Sequence, residues 1–126
     1  MEKDLLDKIR REYTLVPVCP EVMGGLSTPR NPCEICGNCV MTENGTDCTS
    51  EYIKGAEAAL EIAKENNVVF CILKSKSPSC GNEYVYDGSF TGKLKPGMGV
   101  TAGLLKKSGF IVYNEAQTIC LFNKEK

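Results

Sequence analysis

Neither sign of charge dominates this sequence: fifteen basic side chains stand against sixteen acidic ones over 126 residues, a formal charge of −1. That balance excludes a broad electrostatic surface for nucleic acid. Long apolar runs are missing as well. No stretch approaches the ~20 residues of a membrane span, and Met1-Glu2-Lys3-Asp4 carries mixed charge and leads into no apolar signal core, so the expectation is a cytoplasmic protein. Without such a signal the eight cysteines read as thiols or metal ligands rather than disulfides. What is present suffices for a core: 42% of the residues are hydrophobic, enough for one domain over 1–126 without cross-links.

The order of patterns points to an α/β domain. Leu5, Leu6, Ile9 and Tyr13 recur at near-helical spacing, which predicts a short amphipathic helix over 3–12. Thr14 to Val18 reads as a strand with Pro17 at an edge, a bulge or the strand's end, because proline cannot donate to a ladder. Thr49 or Ser50 caps a helix to about Asn66, with Tyr52, Ile53, Ala56, Ala59, Leu60 and Ala63 on one face. Val68 to Leu73 is apolar and β-branched, a buried strand, so strand, crossover helix and strand follow one another. Tyr84 to Tyr86 suggests a short strand ahead of Asp87-Gly88, and a glycine-rich segment follows over 92–99. A helix over 100–107, a strand over 110–113 and an edge strand over 119–122 complete the expectation. The predicted architecture is a three-layer domain with a mostly parallel sheet built from 14–18, 68–73 and 110–113.

Two loops leave the ends of these strands carrying chemistry. Leu73 to Gly81 crowds Ser77, Ser79 and Cys80 around Pro78; Cys19-Pro20-Glu21 runs on to Gly24-Gly25 and Pro29-Arg30. In open α/β sheets ligands bind beyond the carboxyl ends of strands, so parallel strands would bring both loops to one crevice. Each loop also suits a blander role: Ser, Pro and Gly make turns, cysteine packs as a small apolar residue, and an isolated carboxylate is solvated. Cys33, Cys36 and Cys39, two residues apart, with Cys48 beyond, are spaced to turn thiolates toward one iron–sulfur or zinc centre. No following Cys-Pro completes a bacterial ferredoxin run, and residues 39–46 equally suit a strand and turn. Glycines ahead of the helix at Gly97 to Thr101 could cradle an anion, but the spacing is neither Walker A nor a dinucleotide fingerprint.

The combination of Cys-Pro-Glu, Gly-Gly-Leu-Ser-Thr-Pro-Arg (24–30), Lys-Ser-Lys-Ser-Pro-Ser-Cys-Gly (74–81), Tyr86-Asp87-Gly88 and Gly97 to Ala102 resembles the thiouracil desulfidase family over roughly residues 14–115. The resemblance implies an α/β domain that holds a [4Fe-4S] cluster through three cysteines and leaves one iron for the sulfur of a thiocarbonyl substrate. Its cluster ligands match Cys19 and Cys80, its carboxylate Glu21 and its catalytic serine Ser77. Arg30 and Ser79, in two of the shared motifs, are candidates to bind the substrate. The expected reaction exchanges C=S for C=O in a thiolated nucleobase or nucleotide and releases sulfide.

The family's usual first strand and first cluster cysteine precede the point where this sequence starts, whereas Cys33, Cys36, Cys39 and Cys48 are additional. The expected third thiolate therefore comes from 33–39, with Cys36 preferred because Gly37 eases its approach, and sheet edges left apolar by a missing strand favour a homodimer. Cys19 and Cys80, sixty-one positions apart, must then converge. The competing readings are a non-catalytic module carrying iron–sulfur, zinc or no metal, and a persulfide carrier on Cys80, whose thiolate Lys74 and Lys76 would favour.

Overall fold

The computed structural model describes residues 3–26, 32–74 and 78–123. Helix α1, Lys3–Glu12, has the predicted bounds. Asp4 lies in its first turn and Arg10 and Arg11 in its last, where each complements the helix dipole. Its buried stripe, Leu5 and Ile9, packs on Leu15, Phe70 and Ile72.

Residues 14–18 form no strand. They are a connector, anchored by Leu15 beneath α1 and by the edge of the Tyr13 ring against Phe70, with centroids 5.1 Å apart. The segment has strand composition without a ladder, and Pro17 offers no N–H to begin one. The predicted three-strand parallel sheet is corrected accordingly. Among the described residues there are three two-stranded sheets. Strands β1 (Cys33–Cys36) and β2 (Cys39–Thr42) are antiparallel, β3 (Cys71–Leu73) and β6 (Val112–Asn114) parallel, and β4 (Tyr84–Tyr86) and β5 (Leu94–Pro96) antiparallel. The fold is α/β, but its small sheets are not the mostly parallel three-layer arrangement expected.

Between the sheets run α2 (Pro20–Met23), α3 (Thr49–Glu65) and α4 (Val100–Lys107), followed by α5 (Glu115–Asn123). The N-cap of α3 is Cys48, without a side-chain cap bond, rather than Thr49 or Ser50; Asp47 before it accepts bonds from the Thr49 N–H and hydroxyl, 2.8 and 2.6 Å. Tyr52, Ala56, Ala59 and Ala63 then bury one face of it. Ala63, Leu73, Cys80, Ala102 and Leu105 form the core where α3 and α4 meet the parallel pair. A second core joins Cys33, Val40, Cys48 and Tyr52.

The expected edge strand over 119–122 is helical. Asn114 and Gln117 bond reciprocally: the Gln117 N–H donates to Asn114 Oδ1 at 2.8 Å, and the Asn114 N–H to Gln117 Oε1 at 2.9 Å. This capping box satisfies two of the donors that a helix start leaves open, and it nucleates α5 where the apolar run Ile119 to Phe122 alone suggested β. Among the described residues no helix is long and apolar enough to cross a membrane.

Candidate functional site

Two turns are pressed against two helices, and glycine permits both contacts. In the first, Cys19 occupies the N-cap of α2 and Pro20 its first turn, where a missing N–H costs nothing. The turn then meets α3 backbone to backbone. A Cβ on Gly24 would stand 1.9 Å from the carbonyl oxygen of Glu51, and one on Gly55 would stand 1.9 Å from that of Pro20. With no side chain between them, the turn settles low enough for the Tyr52 hydroxyl to donate to Glu21 Oε2 at 2.9 Å.

The second turn, Pro78 to Gly81, sits on the N-terminus of α4. Val100 N–H donates to the Pro78 carbonyl at 2.8 Å, and the Thr101 and Ala102 N–H groups donate to that of Ser79 at 2.8 and 3.1 Å. These are the donors that an anion at Gly97 to Thr101 would need, so the anion-cradle expectation does not hold. Gly99 makes the approach feasible: its Cβ would lie 2.4 Å from the Ser79 carbonyl carbon. The Ser79 and Thr101 hydroxyls, both buried, bond at 2.7 Å, and the Cys80 thiol leans on Ser79 Oγ at 3.7 Å.

The charges of the first turn are felt at the second. Burial pushes the Cys80 thiol up to about 11; Ser79 offsets this in part, while the nearby Glu21 carboxylate and Cys19 sulfur push it further up. Cys19 is exposed and Cys80 buried, so the site has an open and a closed side. The thiolate expected at Cys80 from Lys74 and Lys76 is instead disfavoured by burial; Lys74 is exposed, and Lys76 lies outside the described residues.

The cysteines of 33–39 have other company. Cys36 lies 3.6 Å from the Gly88 carbonyl oxygen and 3.8 Å from that of Glu34, and it pairs with Cys39 across the β1–β2 turn. Cys33, on the opposite face of β1, contacts Cys48 and the Tyr52 hydroxyl. Among the described residues no three thiol or carboxylate groups gather as a metal-ion site. Ser77 and Arg30 lie outside the described residues. Ser79 is described, and its hydroxyl is engaged by Thr101 and Cys80.

Three groups escape the sequence reading. Tyr52 figures there only as part of a buried stripe, although a lone hydroxyl in a run of alanines must find a polar partner. Glu34, buried on β1, accepts the Gly88 and Phe90 N–H groups at 3.0 and 3.2 Å and so holds the Tyr-Asp-Gly turn. Asn82, two residues beyond Cys80, donates to Gln117 Oε1 at 2.8 Å and accepts from Asn114 at 3.1 Å, tying the cysteine's turn to the start of α5.

The scaffold is α/β, with two motif turns, one carrying Cys19 and Glu21 and the other Cys80, each seated on a helix through glycine. The family model described as 2-thiouracil desulfurase matches residues 1–117, and the chain belongs to that family. An uncharacterised protein of Bacillus subtilis (strain 168), YbbK, is 44% identical over 122 residues, spanning 86% of this chain and 81% of its own. The solved structure of the [4Fe-4S]-dependent thiouracil desulfidase TudS superposes with a TM-score of 0.87 at 39% identity, over 96% of this chain and 83% of that one.

Proposed function

We propose that this chain removes sulfur from a thiolated pyrimidine such as 2-thiouracil. Water adds its oxygen to the carbon, the C=S bond breaks, and the sulfur leaves with both of the water's protons as hydrogen sulfide. No electrons are exchanged. The observation that carries the reading is the family match over residues 1–117, which the likeness to the solved thiouracil desulfidase at 39% identity supports.

The donor chemistry fits an iron–sulfur group in part: the motif turns supply two thiols, and among the described residues no third gathers with them. Cys19 and Cys80 would hold a [4Fe-4S] cluster, since a bound cationic centre replaces the thiol proton that burial otherwise retains on Cys80. When bound, the cluster would supply a Lewis-acidic iron for the soft thiocarbonyl sulfur. Glu21 accepts a proton from the attacking water and returns it to the leaving sulfur. Ser77, assigned from its motif, steadies the ring or the sulfur with its hydroxyl, and Arg30 contacts the substrate from the Thr-Pro-Arg motif. Ser79 serves by fixing Cys80, because Thr101 already engages its hydroxyl. The same reading places the protein in the cytoplasm with a small thiolated nucleobase or nucleotide as its partner.

Anaerobic purification with iron and acid-labile sulfide analysis, followed by assay of 2-thiouracil turnover, tests this. A brown protein releasing uracil and sulfide in equal amounts supports it. A colourless protein that holds zinc or no metal, and is inactive after cluster reconstitution, overturns it.

A further inference from the structure

Tyr52 is 2% exposed, with its ring in the core formed by Cys33, Val40 and Cys48. A phenylalanine would fill the same volume without having to desolvate a hydroxyl. The hydroxyl is nevertheless present, and its one proton goes to Glu21 Oε2 at 2.9 Å. Its oxygen also contacts Cys33. Glu21 and Cys33 both favour the protonated hydroxyl, which is therefore the donor in this arrangement. The hydroxyl thus links a buried thiol to the carboxylate: it donates to Glu21 and touches Cys33. The tyrosine comes from a helix that the Glu21 turn touches through Gly24 and Gly55, so its own position is rigid.

We propose that Tyr52 is a positioning residue for Glu21. It holds one carboxylate oxygen against α3 and so fixes the carboxylate's orientation beside the Cys19 turn; Cys33, which also touches the hydroxyl, is a structural thiol rather than a ligand. The inference rests on the desulfidase reading and extends it to a residue that touches neither the cluster nor the substrate. A carboxylate tethered at one oxygen samples fewer orientations, so the tether raises the fraction of bound substrate that reacts and leaves substrate binding alone.

The test compares Tyr52→Phe with wild type after cluster reconstitution, using 2-thiouracil as the probe. Iron per chain should be unchanged, KM should stay within about twofold and kcat should fall about tenfold, the scale of one hydrogen bond to a charged group. A crystal structure of the variant should show the Glu21 carboxylate rotated from its wild-type orientation. Cys33→Val, which keeps an apolar side chain at a buried position, should retain iron and lower kcat about threefold by freeing the hydroxyl to rotate. It also serves if Tyr52→Phe fails to fold. Wild-type kcat in Tyr52→Phe, or a fall in kcat matched by loss of iron, overturns the inference, as does loss of iron in Cys33→Val, which would make Cys33 a ligand. A wild-type protein that is silent on 2-thiouracil overturns the desulfidase reading and this inference with it; an active wild type beside an unaltered Tyr52→Phe overturns the inference alone.

Discussion

Replacing Gly99 by alanine should dislodge Cys80 without touching it. Gly99 has an ordinary extended backbone, φ −65° and ψ 166°, so alanine meets no torsional penalty there. The penalty is steric. The added methyl would lie 2.4 and 2.5 Å from the carbonyl carbon and oxygen of Ser79 and 2.7 Å from the oxygen of Pro78, all backbone atoms that cannot rotate aside. Restoring van der Waals contact requires the turn to retreat by about 1 Å, enough to stretch the bonds that Val100, Thr101 and Ala102 donate to it. Overpacking of this kind costs about 1–3 kcal/mol and each of the three weakened hydrogen bonds about 1 more, so a total of about 4–6 kcal/mol is expected. Urea unfolding of the cluster-free, reduced protein should show a lower midpoint at an unchanged m-value, and reconstitution should load much less iron. Gly103→Ala is the control: it lies in the same helix, its Cβ would meet nothing nearer than Met98 Cβ at 4.0 Å, and it should be neutral or stabilising by up to about 1 kcal/mol. A Gly99→Ala protein with wild-type midpoint and iron content would refute the steric reasoning.

Glu21→Gln should leave iron per chain unchanged and abolish sulfide release, and Ser77→Ala should lower turnover by less; wild-type rates in both would remove the catalytic assignment. Asn114→Ala should destabilise the protein by about 1–2 kcal/mol, read from urea unfolding, because it removes the side-chain half of the capping box and leaves the Gln117 N–H without its acceptor. The cluster-free protein should lose stability as pH rises from about 9 to 11: the Cys80 thiol, raised from 9.0 to about 11 by burial, keeps its proton in the folded state over that window while the unfolded chain releases it, and ultraviolet thiolate titration with and without Cys80→Ala checks the assignment.

Local patterns were legible where the cause is local. The Leu5 and Ile9 stripe is enough to bound α1, and the alanine-rich face of α3 needs only helical periodicity to be recognised. The motif set around Cys19, Glu21 and Cys80 likewise identified the family before any geometry was known. Pairing was a different matter. Thr14 to Val18 and Ile119 to Phe122 both have strand composition, but a strand exists only when another backbone meets its N–H and C=O groups. The first segment has no such ladder, and the second is claimed by the capping box at Asn114.

The choice among cysteines was also tertiary. Spacing places Cys33, Cys36 and Cys39 on one short stretch, yet alternation along β1 sends Cys33 toward Tyr52 and Cys36 toward Gly88, because successive side chains of a strand point to opposite faces. The sequence by itself determined α1, α3 and α4, the two motif turns and the family. Only the tertiary structure decided where each motif turn sits: the seating depends on backbones that touch at Gly24, Gly55 and Gly99, where the absence of a side chain matters only once the opposing chain is in place.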